Sequence, residues 1–462
     1  MKKILSIILL SLVALGLRGQ QVGLTLQQCK DMALVNDPYV KNSYLDVMAA
    51  EAQKKEVFAE HFPRVGFSAF GFYAQKPMIS LTAIDIFGDN DLGNLIHEAF
   101  AALAEENGGS PEFTALKYGF NASLTLVQPI YAGGRIAKGN ELASLGVKAA
   151  NLKKDIQVRT KNEDVEKSYW EIVALEEKRS TLKHLNELLE VLHKDVTSGI
   201  EAGLITDTDL LLVNMKKNEL KSGEIQLEGG IRLLKMNLFN AIGQPYSVFE
   251  SVANEQTPYI DNIVLQDRLS DLRSPQEYYV PEEELAQNVQ ETQLLGMMVE
   301  AKKLEKRLAL GEVLPTVAIG GSYGYAELNG RQFNGNVFAM VQIPISEWGK
   351  ASRKLDRLEH QVQKSQNEKD YLTSQLLLQI RQFWLNLNVA WEKMNVAKEN
   401  VELANKTVSN QMSEFEAGMI PLSDLLMTQT KLYEATEAYV NSQIEYSKAL
   451  TTYLGRKTTN NN

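Results

Sequence analysis

Apolar residues recur along the C-terminal half of the chain at alternating steps of four and three. The series is Leu376, Ile380, Phe383, Leu387, Ala390, Met394, Ala397, Val401, Ala404 and Val408. Steps of that kind keep one face of a helix against a partner, as in a coiled coil. Leu182, Leu185, Leu189, Leu192 and Val196 keep the same spacing in the N-terminal half. No proline falls between Pro129 and Pro245, or between Pro344 and Pro421. An interior proline costs a helix about 3 kcal/mol, so these gaps suit very long helices. A helix from Arg135 to Ile200 is predicted, roughly 100 Å long at 1.5 Å per residue. The helical pattern resumes from Asp209 to Ala241 and from Asp424 to Leu454.

A different pattern precedes each long helix. "PRVGFSAFGFY" (Pro63 to Tyr73) and "PTVAIGGSYGY" (Pro315 to Tyr325) are rich in aromatic, β-branched and glycine residues. "YGFNASLTLVQPI" (Tyr118 to Ile130) alternates Phe120, Ala122, Leu124 and Leu126 with Asn121, Ser123 and Thr125. "NGNVFAMVQIPI" (Asn334 to Ile345) behaves similarly. Period-two alternation of this kind predicts four strands in two hairpins. A helix precedes each first strand.

The chain writes this plan twice. "SGIEAGLITDTDLLL" (Ser198 to Leu212) and "SEFEAGMIPLSDLLM" (Ser413 to Met427) share eight of fifteen residues, 215 positions apart. Each falls between two helices. Gly203 and Gly418 supply the stop, and Asp209 and Asp424 sit where the next helix begins. Asn36, Ala49, Glu60, Pro63 and Tyr73 match Asn288, Ala301, Glu312, Pro315 and Tyr325 at an offset of 252. The repeating unit is helix, strand, strand, long helix, turn, return helix. Two segments break the symmetry. Ala74 to Lys117 is a long insertion with a helical stretch around Leu92 to Glu106. Gln244 to Val280, holding Pro245, Pro258 and Pro275, reads as an irregular connector.

The first residues bear on the compartment. "MKKILSIILLSLVALGLRGQ" has two lysines, an apolar run from Ile4 to Leu17, then Arg18, Gly19 and Gln20. That order is a secretory signal peptide's, with cleavage near Gln20. No later apolar run approaches the twenty residues of a membrane-spanning helix. An exported chain of this kind is soluble in the periplasm, secreted, or spans a membrane as a β-barrel. Four strands cannot close a barrel, so they must pair with other copies in a closed ring. Three copies give twelve strands and four give sixteen.

Composition narrows the chemistry. The 462 residues carry a formal net charge of -10 and no basic block, which argues against nucleic acid. Cys29 is the lone cysteine, read as a buried thiol on the first helix. The five histidines show no metal-ligand spacing, and no Walker-type loop is present. No catalytic, cofactor-binding or metal residue is assigned, and no cofactor is expected. "GGSYG" (Gly320 to Gly324) matches the nucleophile-elbow pattern, yet it lies in a predicted strand. Trp348, Tyr131, Tyr323 and Tyr325 lie near strand ends, as an interfacial belt or as ordinary packing.

Several motifs carry a resemblance. "LTLQQCKDMALVNDP" (Leu24 to Pro38), "QPIYAGGRIAKG" (Gln128 to Gly139), "VQIPISEWGK" (Val341 to Lys350) and the two duplicated phrases together resemble TolC-type outer-membrane efflux and secretion channels. The resemblance covers nearly the whole mature chain. It implies an α+β membrane protein with an internal structural repeat: a long antiparallel α-helical (coiled-coil) barrel in the periplasm, and four β-strands per chain in a trimeric twelve-stranded transmembrane β-barrel. The implied divisions are a signal peptide (1–20), a first repeat (21–243), an equatorial connector (244–281), a second repeat (282–457) and a disordered tail (458–462). The implied activity is a passive, non-enzymatic export duct in a tripartite efflux pump or type I secretion system. The implied partners are two further copies of the chain, a periplasmic adaptor (membrane fusion protein), an inner-membrane pump and outer-membrane lipid. The duplicated phrases become hairpin tips at the periplasmic entrance, with Asp209, Asp424 and Phe415 at the gate. Gly203, Leu204, Gly418 and Met419 become adaptor contacts. Helix capping is the plainer role for Asp209 and Asp424. The family's usual basic residue and additional Asp at the second tip are replaced by Ile420 and Met427. A periplasmic coiled-coil adaptor and an exported serine hydrolase are the alternative readings.

Overall fold

The computed structural model describes residues 22–106, 112–115, 117–203, 206–254, 256–269, 272–326, 332–345 and 348–457. The expected signal peptide (1–20) and C-terminal tail (458–462) lie outside the described residues. In chain order the elements are β1 (Val22–Leu24), α1 (Leu26–Asn36), α2 (Pro38–Ala59), β2 (Arg64–Tyr73), β3 (Ile79–Leu81), α3 (Ala83–Phe87), α4 (Asp91–Glu106), β4 (Phe113–Ala115) and β5 (Tyr118–Ala132). There follow α5 (Arg135–Glu201), α6 (Asp207–Ile242), β6 (Ile263–Leu265), α7 (Glu282–Asn288), α8 (Gln290–Gly311), β7 (Thr316–Ala326), β8 (Gln332–Gln342), α9 (Lys350–Glu416) and α10 (Leu422–Leu454). Helices α5 and α9 each have 67 residues, and their bounds differ by the same 215 that separates the duplicated phrases.

The chain divides into two compact units. The first comprises 1–50, 147–299 and 365–462. Its core is the heptad seam: Leu182, Leu189, Leu192 and Val196 are buried on α5, and Ile380, Leu387, Ala390 and Met394 on α9. Burying a leucine side chain contributes about 1.5–3 kcal/mol, so the seam rather than helix propensity holds these helices. A belt of short elements ties the chain's start to the connector. β1 pairs in parallel with β6, Val22 opposite Ile263. The Tyr169 hydroxyl lies 2.9 Å from Leu24 O and 2.8 Å from Asp267 Oδ2, and the Leu26 amide donates to the same carboxylate at 2.7 Å. Cys29 is buried beside it, and burial, then the Asp267 charge, push its thiol up to about 12.

The second unit comprises 51–146 and 300–364. It holds a four-stranded antiparallel sheet in the order β2-β5-β7-β8. The register places Phe67 opposite Leu124, Leu124 opposite Tyr323, and Tyr323 opposite Gly335. β5 slips register between Pro129 and Tyr131, where proline removes a ladder donor. The insertion carries the expected helix, α4, and also a two-stranded pair, β3 with β4.

Candidate functional site

The two duplicated turns belong to the first unit. At the second, Gly418 has φ 70°, its N–H donates to Phe415 O at 2.9 Å, and the Met419 N–H donates to Glu414 O at 2.8 Å. That pair of bonds is a Schellman stop, which needs a left-handed residue where the helix ends. At the first, Gly203 has φ 69° and its N–H reaches Ile200 O at 2.9 Å. Leu204, the fourth expected adaptor contact, lies outside the described residues. Met419 is 70% exposed, as a contact residue needs. Phe415 is half-buried, and with Ile200, Leu210 and Ile420 it packs against the core that contains Val213, Val408 and Leu422.

Asp209 and Asp424 occupy the same position, three residues past the cap of the return helix. Their surroundings differ. Asp209 Oδ2 accepts from the Thr206 hydroxyl at 2.6 Å and from the Thr206 N–H at 3.2 Å. This is the reciprocal helix-start arrangement in which a side chain satisfies the cap's own amide. The matching residue before Asp424 is Pro421, which has neither an N–H nor a hydroxyl to give. The Asp424 carboxylate has the Ser423 hydroxyl at 3.4 Å, a weak contact. The capping role therefore belongs to Asp209, and Asp424 is half-exposed with most of its acceptor capacity open. The sequence held the signal: Thr stands three residues before one Asp and Pro before the other.

The sheet has two chemically distinct faces. Following the register, one face carries Val65, Phe67, Leu124, Leu126, Ile319, Val337 and Val341. Val337 is 90% exposed in the single chain. The aromatic residues of this face gather toward the end next to the insertion: Tyr323 stacks on Phe333 with centroids 5.9 Å apart, and Phe120 lies 6.4 Å from Tyr325. The other face carries Asn121, Thr125 and Asn334, with hydroxyl and amide bonds between Ser68 and Ser123 (3.2 Å) and between Ser322 and Asn336 (3.1 Å). The same face also carries Phe70, Phe72, Phe338 and Met340: Phe70 stacks on Phe72 with centroids 6.0 Å apart, and Phe338 lies over Gly320, where an added Cβ would meet the ring at 2.6 Å. Transmembrane barrels alternate an apolar lipid-facing side with a more polar lumen side.

Ser322 of "GGSYG" sits in the middle of β7 between β5 and β8, not at a strand-to-helix turn. Among the described residues, no group of three or more His, Cys, Asp or Glu is placed to hold a metal, and no helix is long and apolar enough to cross a membrane.

A family model described as "Outer membrane efflux protein" matches residues 30–243 and 299–456. No curated protein matches the chain in sequence. Solved structures do match in fold. The outer membrane protein VceC from Vibrio cholerae is 14% identical with a TM-score of 0.70, covering 93% of this chain and 95% of that one. The Campylobacter jejuni CmeC outer membrane channel is 13% identical at 0.70, covering 93% and 85%. The Neisseria gonorrhoeae MtrE outer membrane channel, solved in its open state, is 14% identical at 0.67, covering 96% and 93%. At these identities the likeness is one of fold.

Proposed function

The chain belongs to the outer membrane efflux protein family, and from that premise we propose that three copies assemble into a passive export duct. The family is one of outer-membrane channels rather than enzymes. The observation that carries the finer reading is the sheet. It has two unpaired edges, β2 and β8, and one continuous apolar face. Three of its strands have 10 or 11 residues, a length that suits a tilted crossing of the hydrocarbon core, and β5, with 15, is long enough to cross as well. Unpaired backbone groups in lipid cost several kcal/mol each, so β8 of one copy must meet β2 of the next until the ring closes. Three copies close at twelve strands, with the polar face lining the lumen.

The duplication gives the periplasmic part. Two helical hairpins per chain, at the offset of 215, make six in a trimer, packed by their heptad seams into a tunnel. Residues 244–281 form its equator. The tips at Gly203 and Gly418 meet the periplasmic adaptor, with exposed Met419 as the apolar contact. Asp424 faces the entrance. Energy comes from an inner-membrane pump, either in a tripartite efflux system or in type I secretion. A periplasmic adaptor of one hairpin between compact β domains would have no use for an apolar sheet face.

The experiment is reconstitution of the purified protein into planar bilayers. Trimeric, heat-resistant protein that forms water-filled channels supports the reading. Protein that stays monomeric and non-conducting after extraction from outer membranes contradicts it.

A further inference from the structure

The insertion between β2 and β5 has no counterpart of its length between β7 and β8. It begins just past Tyr73, the end of edge strand β2, and the Ala74 N–H donates to Lys117 O at 2.7 Å where it closes. It therefore stands at the end of the sheet opposite to the one where β5 runs into α5. Its helix α4 is fixed along one face. Asn90 Oδ1 accepts from the Gly93 N–H at 2.8 Å at the helix start. An added Cβ on Gly93 would lie 2.0 Å from Gly88 O, so the preceding loop runs against the helix there. Two turns on, Phe100 meets Phe113 of β4 edge to face, with centroids 5.2 Å apart. Ile96 and Ala104, half-buried, complete that face.

The far side of α4 is apolar too. Leu92, Leu95, Ala99 and Ala102 follow at steps of three, four and three, and all are exposed, Leu95 at 65%. The next step is Glu106, where the helix ends. This is a two-heptad seam that the described residues leave open, and its alanines allow close helix approach. Lipid is a poor occupant. A helix that lies on an anionic lipid surface carries lysine and arginine on its polar face. α4 has neither, and holds Asp91, Glu98 and Glu105 at steps of seven beside the seam. A second copy fits better. β2, whose end the insertion prolongs, is the edge that meets β8 of the next copy in the proposed ring, so closure gathers three insertions at one end of the barrel. Two heptads are short for a free coiled coil. The ring supplies what they lack, because it holds the copies at high effective concentration. The three acids stay outside the seam, so packing leaves them in water.

We propose that the three copies of α4 pack seam to seam into a helical cap over the barrel mouth at the insertion end. This rests on the reading of the chain as a trimeric duct. The cap gives the duct a closure of its own at that mouth, apart from the tips at Gly203 and Gly418.

The test uses the full-length protein with one added cysteine, L95C on the seam or N94C on the exposed flank, Cys29 being buried in both. Under mild oxidation L95C is expected to give about fivefold more disulfide-linked dimer than N94C on a non-reducing denaturing gel, since the ring concentrates the seams. In protein that migrates as a heat-resistant trimer, equal crosslinking of the two would overturn the cap and leave the duct standing. Protein that never forms a trimer fails the duct reading, and the cap with it. A bimane on L95C that is quenched by phospholipid brominated near the headgroup, with no dimer from the unlabelled variant, would assign the seam to lipid and overturn the proposal. A second variant, L95D, needs no crosslinker. Leu95 is exposed in the single chain, so the change leaves its fold intact. L95D is expected to stay trimeric and to raise single-channel conductance in planar bilayers about twofold or more, because a carboxylate buried without a partner drives the helices apart. Wild-type conductance in trimeric L95D would overturn the placing of α4 over the mouth.

Discussion

The Thr206 hydroxyl donates to Asp209 Oδ2 at 2.6 Å, and Pro421 denies the matching Asp424 any such bond. One duplicated carboxylate is therefore committed to its helix, and the other keeps most of its acceptor capacity for the proposed entrance. In planar bilayers D424N should lower the cation-over-anion permeability ratio by about half or more, because a ring of like charges attracts cations. D209N should leave the ratio nearly unchanged and instead destabilise the tip by about 1 kcal/mol, as loss of a cap does. Equal effects of the two on selectivity would contradict the assignment.

Gly133 is a second point of asymmetry. A Cβ there would lie 2.1 Å from Gly311 O, on backbone already at φ 62°. At Gly134 a Cβ would meet nothing within 4 Å. G133A should therefore cost well over the roughly 1 kcal/mol of backbone strain expected for G134A. Thermal unfolding of the two variants in detergent, compared with wild type, checks the order.

Asp37 gives a pH signature. Burial pushes its carboxyl up, but Lys161 at 2.7 Å and the Val40 and Tyr39 amides outweigh that and hold it below the ordinary carboxylate value. A depressed pKa means stability that is present above about pH 4, the unfolded value, and lost as pH falls through the folded value. D37N should be less stable than wild type by about 1–3 kcal/mol at pH 7. The gap should shrink as the pH drops below about 4. A gap that stays constant down to acid pH would remove the carboxylate from the account.

Cys29 should be silent in the native protein. Its thiol is fully buried and pushed up to about 12 by burial, then by the Asp267 charge. The thiolate is the reactive form. Maleimide at pH 8 should leave the folded chain unlabelled and modify it fully in denaturant. Rapid native labelling would show that the belt around Tyr169 and Asp267 opens.

The elements that repeat a pattern were legible in the sequence. The heptad seam marked α5 and α9, and period-two alternation marked β5. The belt was not. β1 and β6 have three residues each, too few for any periodicity, and they pair across 241 positions. What holds them is a Tyr169 hydroxyl and an Asp267 carboxylate brought together by the fold. The short β3–β4 pair in the insertion escaped for the same reason. At the tips, the shared Asp was visible, but its meaning depended on the cap residue three positions earlier. The faces of the sheet became readable once the register fixed which residues stand side by side. In the sequence Trp348 is one more aromatic residue near a strand end; the structure gives it the left-handed backbone that Gly133 has at the matching turn.

The central claim is that β8 of one copy closes on β2 of the next. It is tested most directly by placing cysteines at Ala69 on β2 and Ala339 on β8, and treating outer membranes with a flexible bis-maleimide spanning about two strand spacings, roughly 10 Å. The account predicts that bands on a denaturing gel step through dimer to trimer and stop there. Crosslinks confined to single chains, saturation at dimer, or a ladder running past three copies would contradict it.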